Sequence, residues 1–104
     1  MTEAELGVIG CILIDNNSLD KIYTKLKPDM FSTEFCQDAY QQILAIYDRG
    51  ENVNIMSLSQ AMENHKHDPE QISTVLRDCL TSAPTSVMIG SYADTIIKEY
   101  RSRE

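Results

Sequence analysis

From Leu6 to Ile14 the chain carries no charge and no hydroxyl group, and Leu6, Ile9 and Leu13 recur at helical spacing beside a second row, Val8 and Ile12. A segment of this kind needs other elements packed on most of its sides. It is far short of the ~20 apolar residues that cross a bilayer, and its flank is acidic rather than basic, so neither a membrane span nor a signal peptide fits. The β-branched content alone would also suit a buried strand. A helix is favoured because Thr2 and Glu5 stand in capping-box spacing and Glu3 and Glu5 sit where the helix dipole favours negative charge. Gly7 and Gly10 then need a reason, since glycine inside a helix costs roughly 1 kcal/mol relative to alanine. At i and i+3 they share a face that a neighbouring helix can approach closely.

The same reading predicts further helices in order. Asp15-Asn16-Asn17-Ser18 breaks the first one, and Leu19, Ile22, Tyr23 and Leu26 follow the helical i, i+3, i+4, i+7 pattern of a second. Lys27-Pro28-Asp29 ends it, because the residue before a proline avoids helical geometry, and Met30-Phe31 forms an apolar plug. With Ser32 or Thr33 as cap, residues 34–49 give the cleanest amphipathic pattern: Phe35, Cys36, Ala39, Tyr40, Ile43, Leu44, Ile46 and Tyr47 share one half of the wheel. Gly50 is placed to terminate this helix as a C′ residue. Asn54 is the N-cap of a short fourth helix, with Val53 and Leu58 at the two positions of a hydrophobic staple and Ile55, Leu58 and Met62 on its buried face.

His65-Lys66-His67 closes that element. Asp68 as cap, Pro69 at the first helical position and Gln71 three residues in open the next, whose stripe is Ile72, Val75, Leu76, Cys79 and Leu80. Residues 81–85 read as a loop. Thr85 or Ser86 caps a last helix lined by Ile89, Tyr92, Ala93, Ile96 and Tyr100, with Ile97 at its edge; no stop signal precedes Glu104, so this helix reads as truncated. The sum is an all-α fold, a compact orthogonal bundle of about six helices in one domain over residues 1–104, with Gly7, Gly10, Pro28, Phe31, Gly50, Asn54 and Pro69 at structural positions.

Charge narrows the functions this fold can serve. With 9 basic against 16 acidic residues the net charge is −7, which works against a phosphate-tracking surface and hence against strong direct DNA binding. Three cysteines, Cys11, Cys36 and Cys79, form no CxxC pair and fall on apolar helical faces, as reduced buried thiols do in a cytoplasmic protein. None of the glycines at 7, 10, 50 and 90 precedes a Gly-Lys-Ser/Thr or lies in a GxGxxG, so no nucleotide loop is encoded here. His65, His67 and Asp68 are potential metal ligands, but two imidazoles at a helix boundary without a nearby cysteine read as a solvated junction. The acidic pairs are explained by helix starts and exposed faces, and no serine sits in a nucleophile elbow. The residues therefore point to no catalytic, cofactor or metal site, and to a helical domain that works by binding protein.

Several short stretches, in order and at matching distances, resemble the N-terminal domain of bacterial and phage replicative DNA helicases of the DnaB family. They are Glu3-Ala4-Glu5 with the apolar run and Gly10; Asp15-Asn16 with Leu19 and Ile22; Leu26-x-Pro28-x-Met30-Phe31; Tyr47-Asp48-Arg49-Gly50; Val53-Asn54-x-x-Ser57-Leu58; and Pro84 followed by Tyr92-Ala93-Asp94-x-Ile96. Ser32 and Cys36 replace a tyrosine and a histidine often found in the family, and Asn52 replaces a proline, differences that fit a phage or prophage relative at least as well as a chromosomal helicase.

The resemblance implies a non-catalytic head domain of an ATP-dependent helicase. Its RecA-type motor, with ATP and magnesium, lies outside these residues. It also implies self-association as dimers within a hexameric ring collar, docking of primase and of a helicase loader during replication, and no membrane partner. The last helix would be the truncated start of a dimerisation hairpin, which makes Tyr92, Ile96, Ile97 and Tyr100 the candidate protein interface. The alternatives are the helicase-binding domain of a primase and a stand-alone helical protein-interaction domain.

Overall fold

Thr2 and Glu5 do close a capping box: the Thr2 hydroxyl accepts from the Glu5 N–H, and the Glu5 carboxylate accepts from the Thr2 N–H, starting helix α1, Glu3–Ile14. The computed structural model describes residues 1–83 and 85–103. The sequence readings that fall on Pro84 and Glu104 lie outside the described residues. After α1 come α2 (Glu34–Asp48), α3 (Ile55–Asn64), α4 (Pro69–Ser82) and α5 (Ile89–Arg103), joined by short 3-10 segments at Asn16–Lys21, Pro28–Met30 and Ser86–Met88. Among the described residues there is no strand, and the fold is all-α as the periodicity predicts.

Helix α1 is the axis of the fold. Val8, Ile9, Cys11 and Ile12 are fully buried, and α4 and α5 supply most of their cover. Both glycines are contact positions, on two different helices. A methyl group at Gly7 would stand 2.6 Å from the Tyr92 ring of α5, and one at Gly10 would collide with the Cys79 carbonyl of α4 and lie 2.8 Å from Ala83. Gly50 follows α2 at φ 76°, a conformation glycine adopts without a Cβ penalty, and the Glu51 N–H returns to the Ile46 carbonyl at 3.2 Å to satisfy an end-of-helix acceptor. Asn54 caps α3 in a reciprocal box with Ser57, while Val53 and Leu58 are buried as the expected staple.

Three local expectations are corrected. The second helix is a 3-10 segment, Asn16–Lys21, followed by turns to Leu26. The Asn16 amide donates to the carbonyls of Ile12 and Val53, and the Ser18 hydroxyl to those of Cys11 and Asp15, so side chains compete with regular helix geometry. So short a run before Pro28 gains little from helix formation. Burial decides instead: Leu19, Ile22 and Leu26 are fully buried, each worth about 1.5–3 kcal/mol, while Tyr23 turns out to solvent. On α3, Ile55 is 48 % exposed rather than buried, because Val53 and Leu58 already fill the inward positions. Asp68 stands at the cap of α4 but makes no capping hydrogen bond, and Pro69 alone sets the start. Thr33 caps α2 and Thr85 caps the turn that leads into α5.

Candidate functional site

The cysteines and histidines singled out by the sequence are placed within the packing of the helices. All three thiols are free and buried, and burial pushes Cys36 up to about 11 and raises Cys11 and Cys79 as well. His67 Nε2 lies 2.8 Å from Asp38 Oδ2 with its ring edge-on to Phe35, and His65 Nε2 lies 3.0 Å from the Gln42 amide. These imidazoles pin the α3–α4 turn to α2. Among the described residues no cluster of three His, Cys, Asp or Glu side chains has metal-binding geometry.

Sequence reasoning missed a second role for Glu5. Besides its capping bond, its carboxylate accepts from the N–H and the hydroxyl of Ser32, 27 residues away, tying the start of α1 to the approach to α2. Burial raises the carboxyl, but the hydrogen bonds from Thr2 and Ser32 outweigh it and hold the group below its ordinary value. An acid at the third helical position looks complete as a capping partner, so nothing local announces the bond to Ser32.

The four candidate interface residues on α5 divide in two. Ile96 is 2 % exposed and belongs to the core, so it is not available for contact with another protein in this state. Tyr92 is half-buried against Gly7, its hydroxyl donating to the Ser82 carbonyl at 3.2 Å. Ile97 and Tyr100, farther along, are only partly covered. Ile97 borders a shallow depression with Asp94, Lys98, Arg101 and Ser102, and the Arg103 guanidinium sits 5.8 Å from the centre of the Tyr100 ring. The Lys25–Asp94 ion pair at 2.8 Å and the bond from Arg103 to the Met30 carbonyl at 2.9 Å brace α5 against the connection between α1 and α2. An apolar edge framed by charge on a braced helix is a surface that can dock protein.

Residues 1–99 match the family model for the DnaB-like helicase N terminal domain. The chain belongs to that family. It is 30 % identical over 96 residues to the replicative DNA helicase DnaC of Bacillus subtilis strain 168, and 26 % identical over 104 residues to the replicative DNA helicase DnaB of a Synechocystis strain. These matches take in 90 % and 98 % of this chain but only 21 % and 12 % of the relatives. The crystal structure of the N-terminal domain of DnaB helicase from Mycobacterium tuberculosis superposes with a TM-score of 0.84 at 22 % identity, over 97 % of this chain and 73 % of that one. That similarity establishes a shared fold. The ordered motifs of the sequence are thus those of a DnaB-like N-terminal domain, and no helix among the described residues is long and apolar enough to cross a membrane.

Proposed function

We propose that this domain is the non-catalytic head of a hexameric replicative DNA helicase, forming part of the ring collar and docking primase or a loader at the fork in the cytoplasm. The observation that carries this reading is the family match over residues 1–99, on a chain whose own sequence holds no phosphate-binding loop. ATP hydrolysis and DNA unwinding then belong to a RecA-type motor encoded beyond these residues. The role of this head is to bring copies and partners together, and Ile97 and Tyr100 at the outer part of α5 carry self-association. The family match favours this reading over a primase helicase-binding domain.

The test is the double change Ile97→Asp with Tyr100→Ser. Sedimentation equilibrium should show self-association weakened about tenfold or more, with the thermal midpoint shifted by less than about 4 °C. A collapse of that midpoint would mean that both side chains serve the core of the head. Reading the gene past Glu104 provides an independent check: a GxxxxGK[ST] segment is expected, and a zinc-binding and polymerase region upstream would point to a primase instead.

A further inference from the structure

At the opposite end of α1 from the outer part of α5, the surface changes character. Leu13 of α1, Ile55 and Met56 of α3 and Leu80 of α4 line an open, mainly apolar depression; Met56 is 79 % and Ile55 48 % exposed. Ile55 and Met56 are the first two residues of α3, where a solvated helix start has no need of large apolar side chains. The inward positions of the local fold are already taken by Val53 and Leu58, so packing within the domain does not account for them. The helix N-terminus itself is satisfied by the Asn54–Ser57 box and does not seek an anion. Through Leu13 and Asn54 the depression continues into a polar one that contains Asp15 and Glu51, and neither lining includes a lysine or arginine. Arg49, 2.6 Å from Glu51, offsets one of these charges; Asp15 has no basic partner among the described residues.

We infer that this groove is a docking site for a cationic amphipathic helix of another protein, with apolar side chains on the Leu13, Ile55, Met56 and Leu80 surface and lysine or arginine towards Asp15 and Glu51. Charge selects this occupant. A second copy placing the same face here would set acid against acid, since this lining holds no lysine or arginine whereas the α5 edge carries Lys98 and Arg101, and nucleic acid phosphates would meet the same acids. A helix with apolar residues on one face fits an apolar groove of this kind through a few anchors one turn apart. The groove shares no lining residue with the α5 edge assigned to self-association: α5, from Ser91 to Glu99, adjoins Thr2 to Ala4 at the start of α1, whereas the groove takes Leu13 near its end.

The probe is a fluorescein-labelled peptide of about 18 residues, roughly five helical turns, with leucines on one face and lysines on the other. Its control is the same peptide with glutamate for lysine. Fluorescence anisotropy against the full chain should show binding of the cationic peptide only. Ile55→Ser with Met56→Ser should weaken it about tenfold or more, and Asp15→Asn with Glu51→Gln should weaken it and flatten its salt dependence, both variants keeping the wild-type thermal midpoint. Equal binding of the glutamate peptide, or affinity indifferent to Ile55→Ser with Met56→Ser, would overturn the inference. So would a sedimentation experiment in which that variant converts a dimer to monomer, which would identify a second copy as the occupant.

Discussion

The 12 residues of α1 and the 10 of α3 both form regular helix, yet their places are secured by different means. Eight residues of α1 are buried, and the helix fits because two of its positions have no side chain at all. Only Leu58 and Met62 of α3 are buried; its limits are written locally, in the Asn54–Ser57 box, the Val53 staple and the Lys66 residue at φ 68° that turns the chain after His65. Both helices begin with a capping box, but the central one depends also on the space left for it, the peripheral one on little beyond its ends. A change in α1 is therefore felt by two other helices, whereas a change at the start of α3 stays where it is made.

The largest expected effect follows from that space. Gly10→Leu puts a branched side chain where even a methyl group strikes the Cys79 carbonyl of α4. Overpacking usually costs about 1–3 kcal/mol, but here the obstacle is backbone and α4 as a whole must move, so we expect a loss comparable with the roughly 5–15 kcal/mol that holds a domain together. Circular dichroism should show a chain that does not fold cooperatively. A well-folded Gly10→Leu variant would mean that α1 has been placed wrongly.

Glu5 offers a middle-sized test of α1. Its carboxyl is held below its ordinary value of 4.5 in the folded protein, so the native state stabilises the charged form. That contribution is complete above the ordinary value and is lost as pH falls through the lower folded one. Glu5→Gln should cost about 2 kcal/mol at neutral pH, the worth of hydrogen bonds to a charged acceptor. It should also flatten the fall of the thermal midpoint below about pH 5. A variant with the same slope as wild type would remove Glu5 from the acid response.

The smallest effect belongs to α3. Asn54→Ala deletes one side-chain cap and should lower stability by about 1 kcal/mol, and hydrogen exchange should quicken at the start of α3 while α1 amides keep their protection. A comparable loss of protection in α1 would show that the two helices are not specified separately after all.

What the sequence made legible follows the same division. The caps at Thr2, Thr33 and Asn54, the glycine stop at Gly50 and the buried stripes of α2 and α4 are local signals, found where spacing places them except for Leu80, which stands at the edge of the α4 stripe and is only partly covered. The errors arise where distant residues decide. Leu19 to Leu26 carries a helical pattern, but Asn16 and Ser18 spend their hydrogen bonds on the carbonyls of Ile12, Val53 and Cys11, and turns bury the same three aliphatic side chains. Ile55 matches a buried stripe by spacing alone, and only the prior claim of Val53 and Leu58 on the interior shows why it faces out. The candidate interface on α5 was legible as a helix and as a face, yet the depth of Ile96 depends on the elements that pack against α5.

That the first helix is covered by α4 and the last helix also bears on the order of events during synthesis. About 75 residues separate Ile14 from Ile89, the start of α5, which at roughly 5–20 residues per second leaves about 4 to 15 seconds before the second cover exists. For that interval the most apolar stretch of the protein lacks at least one of the two helices that cover it. The segment that later anchors the whole domain is, while the chain is growing, the one most in need of a chaperone.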